Sequence, residues 1–175
     1  MSLTVIARRT EALFAAYEGY LKNITDADFQ RQPAPGAWSY AEVFSHVYTA
    51  NQACFIAIEN CIKGKAEVTT QKASLPGRII LWTGTFPPVK IKAPKRIAAM
   101  VQKITKEDAA RHLQQLRDML QRLLPGIPKA APNQKAVHPR MGYFDAKQWL
   151  RFIEIHTRHH LKQLQRIEKS LETSR

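Results

Sequence analysis

Two histidines four residues apart, His156 and His160, stand where an apolar seam would otherwise continue. The seam runs Trp149, Ile153, His156, His160, Leu164, Ile167 and Leu171, at steps of three and four, so all seven share one helix face. A spacing of four brings two imidazoles to about 6 Å on that face, within reach of one ion at metal–nitrogen distances near 2.0–2.1 Å. A third histidine, His46, lies between Val43 and Ala50 on a second apolar stripe, again facing inward. One buried histidine is ordinarily a hydrogen-bonded core residue. Three inward imidazoles on two helices are different, because burying polar rings without partners costs a few kcal/mol. A divalent metal is the simplest partner they could share. His159 is the competing ligand, since an i, i+3 pair with His156 can also chelate. It falls one place off the seam that His160 occupies, and is taken as a flanking residue.

Nearby residues admit two readings each. Glu42 sits one turn before His46 and could orient its ring, as carboxylates commonly do for ligating histidines; it could equally cap the helix through Ser39. Gln163 lies one turn past His160 and could bond a ligand or merely edge the helix. His138, before Pro139, reads as part of a turn, and His112 as solvated. Cys54 and Cys61 are the only cysteines. Seven residues of helix separate their Cα atoms by roughly 10 Å, too far for a disulfide, and they read as small core residues.

Four long helices must position these groups. The first spans about Leu3 to Ile24, with Ile6, Leu13, Phe14, Tyr17, Leu21 and Ile24 on one face. Ser39 and Glu42 form a capping box that opens a second, reaching Lys63 with Gly64 as its stop. Thr105 to Asp108 starts a third that ends at Pro125-Gly126. Asp145 with Gln148 resembles another capping box and opens the fourth, reaching about Glu172. Between the second and third, Gly64 to Lys103 carries Pro76, Gly77, Gly84, Pro87, Pro88 and Pro94, so any helix there is short. A connection of that length suits a crossover. The expected fold is all-α: one domain over residues 1–175, a four-helix bundle with a long crossover between helices 2 and 3.

The 175 residues suffice for a core without staples. Formal net charge is +13 and the pI near 10.0. Lysines and arginines such as Arg111, Arg117, Arg158, Lys162 and Arg166 are spread between apolar positions, the pattern of solvated helix faces. No basic tail, zinc-finger spacing or aromatic RNA-binding motif accompanies them, so nucleic acid is not the expected partner. The N-terminus lacks the apolar stretch of a signal peptide, and no run is long enough to span a bilayer. A cytoplasmic protein with no membrane partner is expected.

Trp38-Ser39-Tyr40-Ala41-Glu42-Val43-Phe44-Ser45-His46-Val47 resembles the W-S-x-x-E-x-x-x-H-[LV] opening of the second helix in DinB-like proteins. His138-Pro139-Arg140-Met141-Gly142-Tyr143-Phe144, then Trp149, then His156-Thr157-Arg158-His159-His160-Leu161-Lys162-Gln163-Leu164 resembles that superfamily's closing pattern, H-P-x-x-G-x-[LF] and H-x-x-[RH]-H-x-x-Q-[LI]. The likeness spans most of the chain, is weakest across Gly64 to Lys103, and points to the DinB-2 branch of the DinB/YfiT-like group. It implies a four-helix bundle whose His46, His156 and His160 hold a nickel or zinc ion. It also implies relatives that transfer low-molecular-weight thiols, and homodimers are common among them. The expectation is a metal-dependent enzyme acting on a small-molecule substrate, activating a low-molecular-weight thiol or water as a thiol S-transferase or hydrolase. The alternatives are a non-catalytic metal-binding bundle and a basic nucleic-acid-binding module.

Overall fold

Each long helix begins where a side chain can satisfy its free amides, and the apolar stripes then decide how the helices meet. In the computed structural model, which describes residues 1–87 and 101–173, helix α1 covers Leu3–Asn23, with Ser2 accepting from the Val5 amide. A short helix α2, Asp26–Gln30, follows. Helix α3, Tyr40–Ile62, opens on the expected capping box: Glu42 Oε2 accepts from the Ser39 amide at 2.8 Å while Ser39 Oγ accepts from the Glu42 amide at 3.3 Å. It stops before Gly64, whose φ of +67° favours a residue without Cβ. Strand β1, Glu67–Val68, and helix α4, Leu75–Thr83, come next. Helix α5, Lys106–Leu123, is capped by Thr105 and runs into a 3₁₀ turn over Leu124–Lys129. Strands β2, Gln134–His138, and β3, Gly142–Phe144, precede helix α6, Ala146–Thr173. Asp145 and Gln148 exchange amide and side-chain bonds at 2.8 and 3.0 Å, the second capping box expected.

Helices α1 and α3 each pack against both α5 and α6, so the four long helices form a ring with α1 and α3 on a diagonal. Tyr17 Oη donates to the Thr157 carbonyl and Tyr20 Oη to Glu168, so α1 and α6 run the same way. Asn51 Nδ2 donates to Thr157 Oγ1 while His46, earlier on α3, lies against His160, so α3 runs opposite to α6. Tyr48 bonds Gln115 and Glu59 pairs with Arg122, making α3 and α5 parallel. The four long helices thus run up, down, down, up. Parallel neighbours joined in sequence need a return along the bundle, which is why the α3–α5 connection is long. The expected bundle and crossover are both present. The reading of Pro88 and Pro94 as helix breakers falls outside the described residues.

Phe14, Tyr17, Phe55, Ile58, Leu116, Leu150, Ile153 and Leu164 are fully buried along the bundle axis. At the end where α3 and α5 finish and α6 begins, β1, β2 and β3 form a small antiparallel sheet in that order, pairing Val68 with Gln134 and Val137 with Tyr143. The all-α expectation did not include this sheet.

Candidate metal centre

The antiparallel packing of α3 on α6 brings the three seam histidines together. His46 sits two turns into α3, and His156 and His160 lie on consecutive turns of α6. Their ring centroids are 4.5–5.2 Å apart, and one nitrogen from each lies within 4.8 Å of the others. His46 Nε2 and His156 Nε2 are 3.2 Å apart. Two nitrogens sharing one tetrahedral ion at 2.0–2.1 Å would be about 3.3 Å apart, the spacing this pair has, and the His160 nitrogen lies close enough to complete a three-histidine group that could hold a divalent ion. His156 and His160 are each 8 % exposed and His46 is half-buried, leaving one side of the cluster nearer solvent.

The electrostatics keep these rings neutral. Burial pushes His46 down to about 4, with His159 adding to the shift. Burial pushes His160 down to about 3, His46 contributing. His156 is driven well below the usual range by burial and then by His160 and His46. No carboxylate figures among these causes, so at neutral pH the rings are uncharged and offer lone pairs. His160 Nδ1 lies 2.8 Å from Gln163 Oε1. An amide oxygen only accepts, so the hydrogen is on Nδ1 and Nε2 keeps its lone pair. His156 Nδ1 is buried without a hydrogen-bond partner.

The other residues singled out in the sequence take different places. The Glu42 carboxylate is engaged by Ser39 in the helix cap, through both amide and hydroxyl. His159 is exposed, its ring 5.0 Å from that of His160. His138 ends β2 and packs on Phe152 at 5.0 Å and Trp149 at 5.6 Å. Its Nδ1 accepts from the Arg140 amide, which fixes the hydrogen on Nε2, and burial pushes it down to about 4, helped by Arg140. His112 is not simply solvated: it is half-buried and stacked on Tyr48 at 3.8 Å with the planes 6° apart. Tyr48 supplies a flat apolar surface that draws the ring in from water. Cys54 and Cys61 are buried and free, as expected, their thiols pushed up to about 12 and about 11 mainly by burial.

Sequence reasoning missed the walls and the brace behind them. Trp38 stands 5.2 Å from His46, Phe86 lies 5.0 Å from His159 and 6.5 Å from His156, and Phe152 stacks on His156 at 5.9 Å. Phe152 was findable, being one turn before His156; nothing in the pattern marks Phe86. Glu154 is 1 % exposed and is paired with Arg151 and Arg158. Arg158 in turn donates to the Gly84 carbonyl at 2.5 Å, tying the end of α4 to α6 two residues before Phe86.

This arrangement can be set beside known proteins. The family model described as the DinB superfamily matches residues 9–164. The chain belongs to the DinB superfamily. The matched span contains His46, His156 and His160, so the triad lies in the DinB-superfamily portion of the chain. Among curated proteins, none matches. The solved structure of "TT2238, a four-helix bundle protein" is similar with a TM-score of 0.62 and 20 % identity, over 94 % of this chain and 98 % of that one. YfiT from Bacillus subtilis, described as a probable metal-dependent hydrolase with an unusual four-helix bundle topology, is similar with a TM-score of 0.66 and 14 % identity, over 98 % of this chain and 90 % of that one. At these identities the likeness shows the fold.

Proposed function

We propose that this DinB-superfamily protein is a metal-dependent enzyme whose His46, His156 and His160 hold one divalent ion, zinc or nickel, to activate water or a low-molecular-weight thiol. The observation that carries the reading is the convergence of three uncharged imidazoles, from two helices, within 4.8 Å of one another. When bound, such an ion acts as a Lewis acid, bringing a water's pKa toward neutrality and ionising a thiol. Gln163 holds the His160 ring in the tautomer that leaves Nε2 free. Phe86, Phe152 and Trp38 flank the cluster with apolar surface, limiting water around it and offering an apolar part of a small-molecule substrate something to pack on. The description of YfiT as a hydrolase supports the water branch; the thiol branch rests on the family resemblance.

The test is elemental analysis of protein purified without a polyhistidine tag, beside His46→Ala and His160→Ala. Stoichiometric metal in the parent and near-zero metal in both variants is expected, and equal near-zero metal in all three sinks the proposal. The metal-loaded and chelated forms are then assayed against small esters and amides, and against thiols paired with electrophiles. Turnover in the loaded form alone supports an enzyme. Tight metal without turnover assigns the ion a structural role instead.

A further inference from the structure

The positive charge of this protein is concentrated by where its carboxylates are missing. Residues 68–106 and 119–144 contain twelve of the 27 Lys and Arg and none of the 14 Asp and Glu. The rest of the chain, with fifteen cations against fourteen carboxylates, is nearly neutral. The fold joins residues 68–77 of the first segment to residues 134–143 of the second. Val68 pairs with Gln134, Ala73 bridges to Gly142, the Ser74 amide donates to the Met141 carbonyl at 2.8 Å, and Lys135 Nζ donates to the Gln71 carbonyl at 2.6 Å. Lys103 and Lys106, by contrast, reach the Gln30 and Ile24 carbonyls, Lys106 also pairs with Asp26, and Arg122 pairs with Glu59. Glu67, at the edge of this region, is hydrogen-bonded to Tyr143.

The same region holds five of the seven exposed large apolar side chains among the described residues. Three of them, Leu75, Ile79 and Trp82, recur at i, i+4 and i+7 and form the outer face of α4, with Trp82 86 % exposed. The opposite face of α4 carries the buried Gly77 and Ile80, and Gly77 is packed against Met141. Arg78 stands on the outer face beside Leu75 and Ile79, and the exposed Lys72 and Arg140 flank the start of the helix.

We infer that α4 and the flanking cations form a docking face for an anionic lipid surface, with Leu75, Ile79 and Trp82 entering the headgroup–acyl boundary and Arg78, Lys72 and Arg140 meeting the headgroups. Charge complementarity selects this occupant. A second copy in an isologous contact would press the same cationic face, with Lys72, Arg78 and Arg140, against itself. A nucleic-acid backbone would engage the cations but leave Leu75 and Ile79 in water. A bilayer interface satisfies both, because Trp and aliphatic side chains partition to that depth while each nearby cation adds roughly a fivefold gain in binding to anionic lipid. The protein lies on such a surface; no described helix is long and apolar enough to cross it.

The test uses the full chain with vesicles of equimolar phosphatidylglycerol and phosphatidylcholine, with pure phosphatidylcholine vesicles, and with short duplex DNA and RNA. Co-sedimentation is expected with the anionic vesicles, falling steeply with added salt, together with a blue shift of tryptophan emission that Trp82→Ser removes. The double variant Ile79→Ser/Trp82→Ser should weaken vesicle binding about tenfold or more, and Arg78→Gln and Arg140→Gln about fivefold each. These positions are exposed, so the variants should melt with the parent, a control measured alongside. His46→Ala should bind vesicles as the parent does, which separates this outcome from that of the metal proposal. Absence of vesicle binding overturns the inference, as does binding indifferent to Ile79 and Trp82. Tighter binding to a duplex than to vesicles overturns it in favour of nucleic acid. Self-association abolished by the double variant assigns the face to a second copy.

Discussion

The hydrogen bond between His160 Nδ1 and Gln163 Oε1 separates this ligand candidate from His156, whose Nδ1 is buried without a partner. Fixing a ring's tautomer and tilt before the ion arrives lowers the cost of binding. Gln163→Leu should therefore weaken metal affinity about 10–100-fold while leaving the fold intact. Competition against a chelator measures this, and an unchanged affinity would remove Gln163 from the site. Protonation gives a second residue-scale prediction. His46 and His138 are held near 4 and His160 near 3 in the folded chain, against about 6.5 when unfolded. The unfolded chain then binds more protons at acid pH, so the metal-free protein has full stability above about 6.5 and loses it as pH falls toward 4. Thermal melts across that range should slope downward, less steeply in His138→Phe, and a flat parent profile contradicts the burial of these rings. The triad was legible in the sequence because histidines interrupted an otherwise regular apolar seam. Phe86 was not, because the segment before it is held by a bond from Arg158 to the Gly84 carbonyl that forms only across the fold.

At the scale of elements, helix periods and caps carried most of the information. The four long helices, both capping boxes and the stop before Gly64 follow from local chemistry that each segment satisfies alone. The small sheet does not, since Gln134-Lys135-Ala136-Val137-His138 alternates weakly and one of its partner strands lies more than sixty residues away in sequence. Helix α4 was equally hard to read: nine residues, with Pro76 in its first turn and its apolar stripe turned outward rather than into the core. What fixes α4 is its end. Gly84 has a φ of +71°, and an added Cβ there would run into Arg151. Gly84→Ala should cost about 1–2 kcal/mol from the left-handed backbone alone. Displacing Arg151 from Glu154 adds to that. Denaturant unfolding should show the loss as a lower midpoint with an unchanged slope. An equally stable alanine variant would mean that neither the left-handed backbone nor the Arg151 contact constrains this end.

For the molecule as a whole, the sequence reading noticed the spread of cations and overlooked the distribution of acids. Lysines and arginines do recur along the chain, but carboxylates vanish from residues 68–87 and 119–144, and these stretches, far apart in sequence, meet where Val68 pairs with Gln134 and Ala73 bridges to Gly142. Only the fold reveals that they meet at the small sheet and the start of α4. The metal candidates show the same long-range closure, joining residues 110 apart on α3 and α6. Unlike a zinc finger, this bundle has a continuous apolar core away from the triad, including Phe14, Phe55, Ile58 and Leu116, so it should stay folded without metal. An ion that binds only the folded chain still stabilises it, by about 2.7 kcal/mol at a hundredfold excess over its dissociation constant. For a domain of this size each kcal/mol moves the midpoint by roughly 2–4 °C, which gives a rise of about 5–10 °C on loading with zinc or nickel. Chelation should return the parent to the lower value, and His46→Ala should melt at one temperature with or without metal. If His46→Ala responds to metal as the parent does, the stabilising ion sits elsewhere. If chelation instead unfolds the parent outright, the metal is part of the fold itself and the bundle's own core has been overestimated.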